Sequence, residues 1–84
     1  MLEKNVLLFG SAREPYDNVI KIVFPKVVKG KIIKDIIFRD LDKISHLKDC
    51  CMLAINQEYV KDFDVEIDMD NVKEIAVLPP LSGG

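Results

Sequence analysis

The last six residues, Pro79-Pro80-Leu81-Ser82-Gly83-Gly84, join a free di-glycine carboxylate to a proline-stiffened base and could serve as a chemical handle. Glycine has no Cβ, so such an end can pass through a channel too narrow for other residues. The two prolines favour extended polyproline geometry and direct the tail away from the domain. Six extended residues reach roughly 20 Å, enough to place the carboxylate inside another protein's active site. The alternative is an ordinary disordered terminus.

The other residue types that carry chemistry do not form a recognisable catalytic site. His46 is the only histidine, and its place near the end of a predicted helix favours a solvated side chain. One histidine without further support makes neither a Ser/His/Asp triad nor a metal site. Cys50 and Cys51 stand at the start of a predicted strand and are interpreted as buried small hydrophobic residues. There is no glycine-rich phosphate loop, so the sequence predicts neither an enzyme nor a metal centre.

An acidic stretch superficially resembles a calcium loop. Between residues 62 and 70, aspartate or glutamate alternates with an apolar residue. A calcium-binding EF-hand loop needs glycine at its sixth position and glutamate at its twelfth, and these positions hold Ile67 and Lys73. Strict alternation predicts extended chain instead, with apolar side chains inward and carboxylates outward, which also discourages edge-to-edge aggregation.

Composition limits the class of protein. Eighty-four residues, 49% hydrophobic and 31% charged, suit one soluble globular domain without room for an enclosed catalytic cavity. No apolar run approaches the length of a membrane span, and no signal peptide opens the chain. A net charge of −2 gives no indication of nucleic-acid binding. The two adjacent cysteines are poorly placed to pair with each other, so we expect a reducing cytoplasm.

The charges are unevenly distributed along the chain. Residues 1–48 carry ten Lys and Arg against six Asp and Glu, whereas residues 49–84 carry two against eight. An acidic carboxyl-terminal half could steer docking onto a basic partner. A solvated strand face explains the same pattern equally well.

Hydrophobic periodicity predicts four strands around one long helix. The strands cover Val6 to Phe9, Asn18 to Phe24, Cys51 to Ile55 and Glu74 to Leu78, and the helix runs from about Lys29 to Leu47. The first strand is almost wholly apolar and is therefore predicted to be buried on both faces.

Helical spacing places seven aliphatic residues on one face of that helix: Ile32, Ile33, Ile36, Ile37, Leu41, Ile44 and Leu47. Asn56-Gln57 suits a tight turn into Tyr59-Val60. The order β-β-α-β-β predicts an α+β fold of the β-grasp, ubiquitin-like type, with the helix packed across a mixed sheet. We expect residues 1–78 to form this domain and residues 79–84 to form an extended tail.

Three segments resemble the small, sulfur-carrier subunit of molybdopterin synthase, the MoaD family. The ending Ile75-Ala76-Val77-Leu78-Pro79-Pro80-Leu81-Ser82-Gly83-Gly84 is similar to the apolar strand, Pro-Pro base and Gly-Gly terminus of that family. The opening Val6-Leu7-Leu8-Phe9-Gly10-Ser11-Ala12-Arg13-Glu14 resembles its first strand and following Arg-Glu. Ala54-Ile55-Asn56-Gln57-Glu58-Tyr59-Val60 resembles its Asn-centred hairpin. Pro15 and Asp70-Asn71 depart from the family pattern and affect the expected loop geometry.

The resemblance implies a carrier without catalytic residues of its own and with no bound cofactor. An E1-like adenylating enzyme would use ATP and magnesium to activate the Gly84 carboxylate, and a sulfur donor would convert it to a thiocarboxylate. The tail would then deliver sulfur to cyclic pyranopterin monophosphate in the large subunit, which holds the catalytic residues, to build the dithiolene. A heterotetramer of two small and two large subunits is expected from the family.

The resemblance also implies a docking surface. In the family an exposed apolar platform beside the tail contacts the large subunit and the activating enzyme, and by position it matches Phe9, Tyr59 and Leu78. The alternative is that Phe9 and Leu78 are core residues of adjacent strands. Leu81 is expected to pack at the mouth of the partner's tunnel, and Ser82 to be required only for its small size.

Two other functions stay open at this point. One is a different thiocarboxylate carrier, of the thiamine or tRNA thiolation type, or a ubiquitin-like protein modifier. The other is an interaction module with an inert tail. The Pro-Pro base favours the molybdopterin synthase carrier, because the other Gly-Gly proteins usually lack it.

Overall fold

A mixed five-stranded sheet, crossed on one face by a single α-helix, organises the chain. The computed structural model describes residues 1–13 and 16–80, with the backbone alone at Ser11 and Arg13. The elements are β1 (Leu2–Leu8), β2 (Val19–Phe24), β3 (Val27–Lys29), α1 (Gly30–Asp40), β4 (Met52–Ile55), β5 (Glu58–Tyr59), β6 (Glu66–Asp68) and β7 (Ile75–Leu78). Short 3₁₀ helices cover Gly10–Arg13, Asp42–Leu47 and Met69–Asn71.

The strand that precedes the tail lies at the centre of the main sheet. Its order is β2-β1-β7-β4-β5, and β3 pairs with β6 in a separate two-stranded sheet. β7 runs parallel to β1, with Val6 opposite Ile75, and antiparallel to β4, with Met52 opposite Leu78. Because β7 is hydrogen-bonded on both sides, the point at which the tail leaves the domain is held by the middle of the sheet.

The core lies between the sheet and α1 and is built from alternate strand residues. Val6 and Leu8 of β1 and Ile75 and Val77 of β7 are each at most 2% exposed. They meet fully buried residues of the other elements: Phe24, Ile33, Ile37, Leu41, Leu53 and Met69. The predicted framework of two strands, a helix and two further strands is confirmed by β1, β2, α1, β4 and β7.

The helix is shorter than predicted. Expected to continue to Leu47, α1 ends at Asp40, and Leu41 leaves helical geometry with φ −98° and ψ +54°. A 3₁₀ segment then carries Ile44, which is buried, and Leu47, which packs against the core. Residues three apart are eclipsed in a 3₁₀ helix, so the spacing 41, 44, 47 suits 3₁₀ geometry as well as an α-helix. Of the predicted helix face, Ile32 is instead exposed.

The first strand is not buried on both faces, which corrects the sequence prediction. Val6 and Leu8 are in the core, whereas Leu7 is half-buried and Phe9, just past the strand, is exposed. The cause is the layering, because α1 covers one face of the sheet only. A continuous apolar run here therefore means that the other face is apolar as well.

Two further expectations are wrong in part. Cys51 is buried but Cys50 is exposed, since Cys50 lies in the turn before β4 and not in the strand itself. There the Cys50 Sγ donates to the Leu47 carbonyl at 3.4 Å. In the acidic stretch only Glu66–Asp68 forms a strand. Asp62, before the strand, accepts the backbone N–H of Asp64 at 2.9 Å, and Asp68, at the end of the strand, accepts that of Asp70 at 3.0 Å. Such aspartate turns interrupt extended chain.

None of the helices within the described ranges has the length and apolar character needed to cross a membrane.

Candidate docking site at the base of the carboxyl-terminal tail

The sheet face opposite α1 carries two rows of apolar side chains. Residues directly opposite each other in paired strands project from the same face. The pairing places the first row across all five strands, through Val19, Leu7, Ala76, Ala54 and Tyr59. The second row contains Leu78, opposite Met52 on β4, and Phe9, whose backbone N–H donates to the Val77 carbonyl at 3.3 Å.

These eight residues form the apolar platform: Leu7, Phe9, Val19, Met52, Ala54, Tyr59, Ala76 and Leu78. Its largest side chains are also its most exposed, at 45% for Phe9, 49% for Met52 and 55% for Tyr59. A shallow depression of about 420 Å³ lies among the platform residues, with Gln57 and Glu74 at its margin. Ala54 is buried among these larger side chains, and an apolar surface with exposed side chains of this size is typical of interaction sites.

The structure brings together the three residues that the sequence predicted for docking. Phe9, Tyr59 and Leu78 line one depression, and neither Phe9 nor Leu78 belongs to the core. The alternative interpretation of Phe9 and Leu78 as core residues is therefore wrong. Their contact with a partner protein stays a prediction.

Sequence reasoning missed Met52, the second most exposed residue of the platform. Its signal was present in the strand pattern, because Leu53 and Ile55 point inward and Met52 and Ala54 must then point outward. Val19 and Leu7 were missed for a different reason. They depend on the register between β1 and β2, which a local pattern does not specify.

The hairpin that positions Tyr59 is tied to the chain that leads into β7. Asn56 and Gln57 both have positive φ, 51° and 70°, as the two-residue turns that match strand twist require. The Asn56 side chain donates from Nδ2 to the Asn71 carbonyl at 2.8 Å. Its Oδ1 accepts the N–H groups of Lys73 at 2.7 Å and Glu74 at 3.2 Å. One side chain thus joins β5, which carries Tyr59, to β7, which carries Leu78.

The base of the tail rests on the turn after β1. Gly10 has a φ of +57°, and a Cβ at this position would lie 3.3 Å from Cγ of Pro79. Pro79 is half-buried and Pro80 exposed. The rest of the predicted tail, Leu81, Ser82, Gly83 and Gly84, lies outside the described residues, as do Glu14 and Pro15. The predicted roles of the tail, and its separation from a 1–78 domain, stay predictions.

The buried cysteine, Cys51, does not supply a nucleophile to the platform. Burial raises the pKa of the Cys51 thiol to about 11, with a further contribution from Cys50, while Lys34 acts in the opposite direction. Lys34 donates to the Cys51 carbonyl at 3.1 Å. At neutral pH Cys51 is therefore a protonated core residue. Within the described part of the chain, no three His, Cys, Asp or Glu side chains are arranged to hold a metal ion.

Comparison with known proteins identifies relatives along the whole chain. Residues 6–84 match the ThiS family. The molybdopterin synthase sulfur carrier subunit of Caenorhabditis briggsae is 34% identical over 85 residues, covering all of both chains. That of Dictyostelium discoideum is 36% identical over 86 residues, covering 80% of this chain and 98% of the relative.

Two solved structures share the fold. SAMP1 from Haloferax volcanii superposes with a TM-score of 0.75 at 16% identity, over 99% of this chain and 100% of the other. A chain in the complex of subunits 1 and 2 of the molybdopterin-converting factor from Helicobacter pylori gives a TM-score of 0.66 at 19% identity, with the same coverage. At these identities the likeness concerns the fold alone, and it confirms the predicted β-grasp architecture.

Proposed function

We propose that this chain, which belongs to the ThiS family, is the sulfur carrier subunit of a molybdopterin synthase. The observation that carries the proposal is the apolar platform, which continues directly into Pro79 at the base of a Gly-Gly tail. Support also comes from the names of full-length relatives above 30% identity. A rigid docking surface beside an activatable terminus is what a carrier needs, because the partner must bind the body and receive the end.

The proposed chemistry begins with activation of Gly84. Hydroxide is a poor leaving group, so the free carboxylate is unreactive at neutral pH. An E1-like adenylating enzyme would use ATP and magnesium to form the acyl-adenylate, with pyrophosphate as the leaving group. A donor of sulfide-level sulfur would then attack the acyl carbon and release AMP. The resulting thiocarboxylate is anionic, soft and nucleophilic, as a thiolate is compared with a thiol.

The charged carrier would then deliver its sulfur in the large subunit. The platform, which includes Phe9, Tyr59 and Leu78, would dock on that subunit. The four residues after Pro80 reach about 13 Å when extended, enough to thread a narrow tunnel. There the thiocarboxylate sulfur would form a bond to a carbon atom of cyclic pyranopterin monophosphate, and water would then cleave the acyl–sulfur bond and return Gly84 as the free carboxylate. A dithiolene contains two sulfur atoms, so each product molecule consumes two charged tails.

In this scheme the chain supplies the nucleophilic sulfur and positions it by docking, and the partner proteins supply the catalytic groups. Acid, base and phosphate-binding groups belong to the large subunit, and ATP and magnesium to the activating enzyme. We further propose a cytoplasmic protein that assembles as two small and two large subunits. The free cysteines, Cys50 and Cys51, fit a reducing compartment.

Intact-protein mass spectrometry tests the activation step. The full chain is incubated with the adenylating enzyme of the pathway, ATP, magnesium and a sulfur donor. We expect a mass gain equal to the replacement of one oxygen by sulfur, and no gain for a chain lacking Gly84. An unchanged mass, with an enzyme that charges its own known carrier in parallel, would contradict the proposal.

A further inference from the structure

Glu74 places a carboxylate at the margin of the apolar platform. It directly precedes β7, and alternation along that strand puts its side chain on the same face as Ala76 and Leu78. The residue is half-buried and lines the platform depression together with Phe9 and Tyr59. Docking on this face must therefore also involve Glu74.

The backbone of Glu74 is held in place from the neighbouring hairpin. Its N–H donates to Oδ1 of Asn56 at 3.2 Å, and its carbonyl accepts the Asn56 N–H at 3.0 Å. Gln57 and Lys73 are the polar neighbours that line the adjoining hollow. The backbone position from which the Glu74 carboxylate projects is therefore fixed by the hairpin.

Within the described part of the chain, Glu74 belongs to no ion pair. The ion pairs there join Lys26 to Asp70, Lys31 to Asp64 and Lys48 to Asp35, and none includes Glu74. A partner that covered the platform with apolar groups alone would strip water from a half-buried carboxylate. Such desolvation is costly unless the incoming surface supplies a partner charge.

We propose that Glu74 is the specificity-determining charge of the platform, and that the large subunit places a lysine or arginine opposite it when it docks. This inference rests on the proposed function and names the chemistry of its docking surface. The cation would form an ion pair with the Glu74 carboxylate as water leaves the interface. That pair would also fix the orientation in which the platform docks on the large subunit. Partners that present an acidic or purely apolar group at this point are disfavoured, because specificity requires such repulsion as well as attraction.

The test is the affinity of the full chain for the large subunit, measured by surface plasmon resonance at low salt and at about 0.5 M salt. Glu74→Gln keeps the shape and removes the charge, and we expect binding at low salt to weaken by about tenfold or more. Glu74→Lys should weaken binding further. Added salt should weaken the binding of wild type by screening an attraction, but should strengthen the binding of Glu74→Lys by screening a repulsion. Glu66→Lys is the matched control, because it makes the same charge change on exposed β6 and should stay within about twofold of wild type.

Three results would overturn the inference. Equal affinities for wild type, Glu74→Gln and Glu74→Lys would show that no cation faces Glu74. Equal losses in Glu74→Lys and Glu66→Lys would assign the effect to net charge. A wild-type chain that does not bind the large subunit at all would overturn the proposed function as well, which separates that failure from the first two. Circular dichroism of each variant verifies folding.

Discussion

At the scale of the residue, the proposed mechanism makes its strictest demand on the terminal glycine. In that mechanism a side chain at the end of the tail would collide with the wall of the partner's tunnel, and misplacement of a reacting atom by about 1 Å can cost on the order of a hundredfold in rate. We expect Gly84→Ala to slow sulfur transfer by about that factor or more. Ser82→Ala is the matched control, because it remains small. Single-turnover assays with equal amounts of charged carrier compare the two, and equal rates would contradict a tunnel of this width.

The two cysteines should differ in reactivity although they are adjacent. Cys50 is exposed, and Cys51 is buried with its thiol pKa raised to about 11. We expect iodoacetamide at mildly alkaline pH to modify Cys50 in the native chain and both thiols in denaturant. Peptide mass spectrometry identifies the modified residue, and rapid native labelling of Cys51 would contradict its burial.

The raised pKa of Cys51 also gives a pH dependence of stability. The unfolded thiol loses its proton near its ordinary value of 9.0, whereas the folded thiol keeps it to about 11. Cys51 therefore stabilises the fold fully below pH 9, and this contribution is lost as the pH rises toward 11. Cys51→Ala, compared with wild type in urea at both pH values, should show a smaller alkaline loss of stability.

At the scale of the element, the Asn56 side chain links the β4–β5 hairpin by hydrogen bonds to the segment that leads into β7. Asn56→Gly keeps the positive φ and loses three side-chain hydrogen bonds, for which we expect a loss of about 1–3 kcal/mol in unfolding free energy. Asn56→Ala should cost about 1 kcal/mol more, because a Cβ disfavours that backbone region. Urea unfolding measures both. A Gly variant as stable as wild type would show that water replaces these bonds without loss.

Local pattern predicted the elements well where they are long and failed where tertiary packing decides. Periodicity located β1, β2, α1, β4 and β7. It could not place the short strand β3, it predicted extended chain over all of residues 62–70 where only β6 is a strand, and it could not distinguish a 3₁₀ continuation from the last turns of α1. Nor did it show that β7 lies between β1 and β4, since pairing between distant segments leaves little trace in sequence.

The docking site was predictable only in part, because its surface also depends on the pairing of distant strands. Phe9, Tyr59 and Leu78 were identified by family resemblance. Met52 and Glu74 could not be assigned to the same surface until the register and the covered face of the sheet were known. The prediction that both faces of β1 are buried was wrong because an exposed apolar face and a buried face give the same sequence pattern.

At the scale of the whole molecule, the two faces of the main sheet differ, since one is covered by the core and the other is exposed. α1 and the core stabilise one face, and the other presents the platform, with the tail leaving from the central strand between them. The molecule measures about 36 × 23 × 20 Å, and the proposed tail, if extended over roughly 20 Å, would add a reach comparable to its width. In the proposed mechanism, docking of the domain would then place the end of the tail deep inside a partner.

This division predicts that the platform can be damaged without loss of the fold. Phe9→Ala removes an exposed aromatic ring, and we expect unfolding free energy to change by less than about 0.5 kcal/mol. Binding to the large subunit should weaken by about thirtyfold or more, as for a hot-spot aromatic. Val27→Ala is the control, since Val27 is equally exposed but lies on β3. Equal effects of the two variants on binding would contradict the platform.

The most direct measurement of the central claim is sulfur transfer itself. Chain carrying the Gly84 thiocarboxylate is mixed with the large subunit and cyclic pyranopterin monophosphate, and the pterin product is followed together with the carrier mass. We predict one dithiolene for every two thiocarboxylates, with each carrier returned to the unmodified mass. A thiocarboxylate that persists beside an active large subunit, or that appears instead in adducts with lysine side chains, would contradict the assignment as a molybdopterin synthase carrier.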